Sequence, residues 1–516
     1  MLNFFPKRSR ARTTRWNLIF QFAFAILSIV HPIILVPFYL RFIPLEVYGA
    51  WLATGNILAW IVLINPGLTT VLQQQLGTAY GKQDLVSVWE LLLAGLVISG
   101  VLASILFIIG WGISHVVFDW INLDLMSPAD QRTLHHAFLL AIFATALNML
   151  GFAVAAANLG LQSSLGVGVI AFLSRLAIMI TTLGALFYGY SVQSIPIGMI
   201  MGGIVSMLGN SLYLILRITR EHIIAPVSFG GMQTLIQLST YNFFSRAGHV
   251  IIHNTDAFVA ARFLGAELVP MLVLTKRIPQ TIEPFATNLA RGFMPALSHM
   301  VGSGELDRAH VVLMRFISFL LWLVTLILSG TLVFNDDFLR LWVGGDLFPG
   351  HMVNVIICVG AALGIVMTSL AILCLSMGDI KWNSLASAVQ SLLYIPLVIV
   401  GAMYLGLTGI ALASLLSLLA VSAWYYPRSF ARLLELTRQD VKAIKREVYV
   451  CLLLLGSLTG VFWWMPSNTW GQFGISVITF VGVYGIGLLC VSHAFREEVL
   501  NVYRKIVPRV AILLRR

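Results

Sequence analysis

Apolar runs of about 20 residues recur along nearly the whole chain with only short polar turns between them, and each is long enough to cross a hydrocarbon core of about 30 Å as a helix. The runs fall at roughly 17–40, 48–71, 88–113, 136–159, 166–189, 196–217, 234–262, 267–290, 310–334, 352–376, 384–404, 408–427, 447–465 and 473–494. The sequence therefore predicts an all-α polytopic membrane protein of about 14 transmembrane helices. Composition agrees: 59% of the 516 residues are hydrophobic and 10% are charged, and the mean hydropathy is +0.91, far from an ordinary soluble domain.

A net charge of +11 would suit nucleic acid, but its placement points to a membrane. Lys7, Arg8, Arg10, Arg12 and Arg15 crowd the N-terminal tail, and further cations crowd the loop from Arg428 to Arg446 and the tail from Arg496 to Arg516. With those segments inside, only Arg41, Arg132, Arg262 and Arg340 fall outside, beside Glu46, Asp119, Asp124, Asp130, Glu267, Asp336, Asp337 and Asp346. This positive-inside pattern predicts both termini in the cytoplasm, with the basic tails resting on anionic headgroups. The first run is too long for a signal peptide and has no clear small-residue cleavage site after it, so it is read as a retained span. Cys358, Cys374, Cys451 and Cys490 all lie within spans, without metal-ligand spacing, and read as small buried side chains.

The chain carries an internal match. "RFIPLEV" at Arg41 to Val47 aligns with "RFLGAEL" at Arg262 to Leu268, and "GKQDL" at Gly81 to Leu85 is set against "GELDR" at Gly304 to Arg308. Two six-span halves follow, and an even number of spans gives them the same orientation, as parallel repeats. The expected organisation is an N-terminal lobe over 1–217, a cytoplasmic linker over 218–233 with Pro226 and "FGG", a C-terminal lobe over 234–427, and a final part over 428–516. That last part holds the basic loop, spans thirteen and fourteen and a tail.

Ionisable residues inside spans are costly, about 2.5 to 3.5 kcal/mol for a charge at the bilayer centre, and mark protein-facing or water-filled surfaces. In "SRAGHVIIHNTDAF", Arg246, His249, His253 and Asp256 share one helical stripe. Lys276, Gln280, Glu283 and Thr287 form a second stripe that Arg291 continues. Depths counted from the intervening turn make Asp256 with Lys276, and Arg246 with Glu283, candidate ion pairs. Such pairs serve equally to pin a helical hairpin. The remaining Arg277, Arg291, His249 and His253 give an excess of cations suited to an anionic substrate. Asp256 and Glu283 are the candidates for coupling to Na+ or H+.

In the first half His31-Pro32 and Pro37 interrupt span one, Asn65-Pro66-Gly67 interrupts span two, and Arg175 lies in span five. His31 reads as an interhelical hydrogen-bonder or a ligand. Arg175 reads as lumenal or as a structural, snorkelling side chain. The triplet "NDD" at Asn335 to Asp337 reads as a solvated turn rather than a metal-binding pair.

"YLRFIPLEVYGAWL", "TDAFVAARFLGAEL", "FMPALSHMVGSGELDRA" and "FLRLWVGGDLF" resemble the polysaccharide-transporter branch of the MATE-like exporter superfamily, which includes O-antigen and exopolysaccharide flippases of bacterial inner membranes. Fourteen spans fit that branch and the lipid II flippases better than the twelve of multidrug members. "NPGL" at Asn65 to Leu68, and "LVPML" after Glu267, depart from its usual pattern.

The resemblance implies a flippase that carries an undecaprenyl-pyrophosphate-linked oligosaccharide across the inner membrane by alternating access. Partners would be that substrate, membrane lipids and the pathway's glycosyltransferases and polymerase, with no nucleic acid. No cofactor is expected beyond a coupling ion. The pyrophosphate would suit Arg246, Lys276, Arg277 and Arg291. Competing readings are a MATE-like multidrug or lipid II exporter and, less well supported, a membrane glycosyltransferase or polymerase. The longest outer loop, Ser114 to His135, is short for an enzyme of that kind, and no Gly-rich nucleotide loop, HExxH motif or serine elbow occurs, so no enzymatic activity is expected.

Overall fold

The computed structural model describes the chain except for residues 1–26, 28–29, 62–66, 122, 124–125, 224–225, 227–230, 238, 240–249, 253, 303–304, 345–346 and 501–516. The described residues are helical nearly throughout and contain no strand. Eight helical stretches among them are long and apolar enough to cross a membrane. By contacts the chain forms two compact units, Met1–Pro270 and Met271–Arg516.

Unit 1 begins with α1 (Val30–Phe42), which runs unbroken through Pro32 and Pro37. Both prolines are thus accommodated within helix over the described residues, where an interruption was expected. Next come α2 (Leu45–Ile61) and α3 (Leu68–Gly81). Their separation bears out the expected break, since Gly67 stands at φ +89°, which favours glycine. The rest of the unit is α4 (Leu85–Ser114), the single turn α5 (Val117–Trp120), α6 (Pro128–Gly160), α7 (Ser164–Phe187), α8 (Ser194–Glu221) and the short α9 (Asp256–Phe263).

Helix α6 is central, flanked by α3, α4 and α8, with α7 against α8. Close approach of α7 and α8 depends on small residues: a Cβ on Gly198 would overlap Thr182, and one on Gly202 would overlap Ile178. Polar pins fix the register. Ser174 Oγ donates to the Gly202 carbonyl at 2.8 Å and Asn158 Nδ2 to the Asn210 carbonyl at 2.9 Å. At the other end of these helices Arg217, only 9% exposed, donates to Glu221 Oε1 (3.0 Å), to the Tyr80 hydroxyl (3.1 Å) and to Ser163. Tyr80 in turn donates to Glu221 Oε2 at 3.0 Å, so a buried guanidinium is both paired and hydrogen-bonded.

Unit 2 holds α10 (Val269–Thr275, its first residues in unit 1), α11 (Arg277–Gly302), α12 (Leu306–Val343), α13 (His351–Ser376), α14 (Ile380–Ala420), α15 (Ser422–Leu433), α16 (Arg438–Phe462) and α17 (Trp470–Val491). Helix α13 packs against α11, α12, α14 and α15, over a core that includes Leu313, Phe316, Ile365 and Leu373. Helices α16 and α17 pack on α12 through Trp322, Phe334, Phe462 and Phe480.

The segment named α14 is a hairpin. Gly406 has φ +59° and ψ −139°, and a Cβ on Gly401 would overlap the backbone of Gly409. In one straight helix those two residues would stand about 12 Å apart. The two arms are joined at their far ends, where Asp379 accepts from Ser429 Oγ at 2.6 Å and from the Tyr425 hydroxyl. Thus the spans expected at 384–404 and 408–427 are both present.

The repeat has a structural counterpart with one change of register. Asp84 caps α4 and its N–H bonds to the Ala79 carbonyl (3.1 Å); Glu305 occupies the matching position before α12, without a side-chain cap, and its N–H bonds to the Met300 carbonyl (2.9 Å). Residues 84 and 305 are separated by the same 221 positions as Arg41 and Arg262, so "GKQDL" corresponds to "GSGEL" at 302–306 and not to "GELDR".

Candidate functional site

Arg246, His249 and His253 lie outside the described residues, and with them the Arg246–Glu283 pairing. Asp256 belongs to unit 1, whereas Lys276, Arg277, Glu283 and Arg291 belong to unit 2.

Asp256 is the first residue of α9, and Thr255 before it keeps helical backbone angles and accepts the Val259 N–H at 2.9 Å. Asn254 Nδ2 and Thr255 Oγ1 turn back onto the carbonyls of Val250 (3.1 Å) and Ile251 (2.5 Å). Asp256 is 8% exposed and accepts the Ala257 N–H at 3.1 Å.

Lys276 stands at a local break in regularity between α10 and α11, although its N–H still bonds to the Leu272 carbonyl (3.3 Å) and its carbonyl accepts the Gln280 N–H (3.0 Å). The Thr275 carbonyl beside the break receives Asn335 Nδ2 at 3.2 Å. Asn335 also donates to Asn354 Oδ1 at 2.8 Å, and both asparagines are essentially fully buried. Side chains from α12 and α13 therefore stabilise the irregular backbone at Lys276. This corrects the reading of "NDD" as a solvated turn. The triplet lies inside α12, where Asn335 serves the break and Asp337, 6% exposed, accepts the Ser467 N–H at 2.7 Å and pairs with Arg340.

Helix α11 has two faces. Ala286, Ala290 and Leu297 are buried in the unit 2 core. On the other side Arg277 is half-buried, and Gln280, Asn288 and Arg291 are exposed, within an arc of about 80°. Arg291 donates to Asn288 Oδ1 at 3.1 Å. Arg277 and Arg291 lie about 21 Å apart along the axis. Thr287, expected on the polar stripe, is turned into the core and bonds back to the Glu283 carbonyl at 3.0 Å, while Glu283 is half-buried. The polar stripe therefore runs through 277, 280, 288 and 291, with Glu283 and Thr287 on its core side.

The apolar flank of α11 opens on a groove of about 650 Å³, where Leu289 and Phe293 face Phe316, Phe319 and Trp322 of α12 and Phe495 beyond α17. Arg315 and Glu498, paired at 3.1 Å, contribute its charged rim. In unit 1, Arg175 and His31 are both half-buried, the first in α7 and the second in α1. Among the described residues no group of three or more His, Cys, Asp or Glu side chains is placed to hold a metal ion.

Comparison with solved structures places this architecture among known transporters of the same fold. A structure titled lipid II flippase MurJ, inward closed conformation, superposes with a TM-score of 0.63 at 14% identity, over 94% of this chain and 99% of the other. An inward-facing multidrug resistance MATE family transporter of the MOP superfamily gives 0.64 at 12% identity, over 80% of this chain and 99% of its own. A point mutant of the Vibrio cholerae MATE transporter VcmN gives 0.53 at 14% identity, over 84% of this chain and 99% of its own. No family model matches the sequence, and no curated protein matches it.

Proposed function

We propose that the chain is a flippase for a lipid-linked oligosaccharide, working by alternating access in a bacterial inner membrane. The observation that carries the reading is helix α11, with guanidinium and amide groups of Arg277, Gln280, Asn288 and Arg291 on one face and an apolar groove of about 650 Å³ against the other. A substrate with a pyrophosphate, a sugar chain and a polyprenyl tail needs both surfaces. Arg277 and Arg291, with Lys276, bind the anionic part, and the groove takes the tail. The MATE-type multidrug reading is weaker, because the superposition reaches 94% of the chain with the lipid II flippase and 80% with the inward-facing multidrug transporter.

Asp256 and Glu283 are the proposed coupling groups for Na+ or H+. The test is translocation of a labelled undecaprenyl-pyrophosphate oligosaccharide in proteoliposomes, read by its access to an external glycosidase. Arg277→Ala and Arg291→Ala are expected to lower the rate at least about tenfold, as loss of a charge-assisted contact predicts. Unchanged rates in variants that melt like wild type would overturn the reading. Asp256→Asn is expected to abolish dependence on the ion gradient, and a wild type indifferent to the gradient would remove the coupling role.

A further inference from the structure

The segment between α4 and α6, expected as a short outer loop, forms part of a polar cavity of about 700 Å³ within unit 1. This lies in the size range of small-molecule sites, about 300 to 1,000 Å³. Its chemistry comes from His115 after α4, Asp119 in α5, Arg132, His135 and His136 in α6, and Arg262 in α9. The wall is fixed by Gln131, whose Nε2 donates to the carbonyls of Leu123 and Met126, each at 3.2 Å. His135 is held in place by neighbours: its ring centroid lies 6.2 Å from that of His115, 6.3 Å from that of His136 and 5.4 Å, edge-on, from that of Phe118.

The two arginines set this cavity apart. The side assigned as outer by the charge pattern has Arg41, Arg132, Arg262 and Arg340 as its cations. Arg340 is neutralised by Asp337 and approached by Asp336 at 3.9 Å, and Arg41 lies over the Phe42 ring. Arg132 and Arg262 make no ion pair or hydrogen bond among the described residues, and both line this cavity. Asp119 is the one carboxylate among its described lining residues. Two guanidiniums with no ion pair among the described residues, and three imidazoles at hand, form a site for an anion that also carries hydroxyl groups.

We propose that this cavity binds an acidic sugar residue, bearing a carboxylate or a phosphate, on the side where a flipped glycan emerges. Arg132 and Arg262 take the anionic group, and the imidazoles and Asp119 take the hydroxyls, with Phe118 beside the ring. The assignment to a saccharide rests on the flippase reading; the preference for an anion rests on the cavity alone.

The experiment is calorimetric titration of the detergent-purified full-length protein with a tetrasaccharide ending in glucuronate, its counterpart ending in phosphorylated glucose, and a neutral one ending in glucose. Either acidic ligand is expected to bind at least about tenfold more tightly than the neutral one, and the double variant Arg132→Gln, Arg262→Gln to lose that preference while melting like wild type. Equal binding of acidic and neutral ligands, or a preference that survives in the double variant, would overturn the proposal. So would a site that ignores all three sugars and binds short-chain phosphatidylglycerol, which would assign it to a lipid headgroup. The wild-type comparison does not depend on how the variant folds. Binding is measured without transport, so failure of the flippase reading in proteoliposomes and failure of this site give different results.

Discussion

The indole N–H of Trp322 in α12 donates to Glu447 Oε2 in α16 at 3.1 Å. The same oxygen accepts Ser492 Oγ, beyond α17, at 2.8 Å. One carboxylate, 3% exposed, thus joins three elements, while its Oε1 has no hydrogen bond and stands 3.9 Å from Arg446 Nη2.

Glu447→Ala should lower unit 2 stability by about 3 kcal/mol, since two hydrogen bonds to a charged acceptor are lost and a buried indole N–H is left unmet. Glu447→Gln keeps an acceptor for both donors and removes a buried charge, so it should stay close to wild type. Thermal melting in detergent separates the two outcomes.

Tyr80→Phe should destabilise unit 1 by about 1.5 to 3 kcal/mol. The hydroxyl both accepts from Arg217 and donates to Glu221, and nothing in the phenylalanine replaces it. Protease resistance of the α3–α8 region provides the readout.

Asp84, outside the spans, accepts the Ser87 N–H at 3.0 Å and the Ser87 hydroxyl at 2.7 Å, and these bonds hold its carboxyl below the usual carboxylate range. A depressed folded-state value means that the cap's stabilisation is present above the unfolded value, about 4, and is lost as pH falls through the folded one. Ser87→Ala removes the hydroxyl bond, so the melting temperature of the variant should fall less steeply than that of wild type between about pH 5 and pH 3.

Two glycines in α2 should respond in opposite ways. A Cβ at Gly49 would overlap the carbonyl of Ala266, so Gly49→Ala should reduce the yield of folded protein sharply. Gly55 has open space around it, and Gly55→Ala should be neutral or stabilise by up to about 1 kcal/mol. Size-exclusion profiles of the two variants test this contrast.

Much of the architecture is visible in hydropathy, because a span of about 20 apolar residues has few alternatives in a membrane. The reversal between 404 and 408 is legible in this way. What periodicity misreads is burial at the edge of the polar arc and the break at Lys276: Thr287, about 20° beyond Gln280 on α11, is turned into the core. The asparagines that stabilise that break, Asn335 and Asn354, serve a carbonyl 60 positions from Asn335, a relationship no local pattern carries. Asn335 precedes Asp336 and Asp337, so its local context reads as a polar turn. The cavity around His135 was hidden for a similar reason, being divided between a segment read as a loop, the start of α6 and the distant Arg262.

The turn at Gly406 bears on how the polypeptide enters the bilayer during synthesis. Between Lys381 and Arg428 there is no charged residue, and the reversal leaves no loop in which one could act as a topogenic signal. The two arms must therefore be delivered to the lipid phase together, as a single insertion unit, oriented by the cations that flank it. A lysine introduced at Leu405 or Leu407 would supply a competing signal at the tip and should invert or stall this pair, detectable by cysteine accessibility from either side of the membrane.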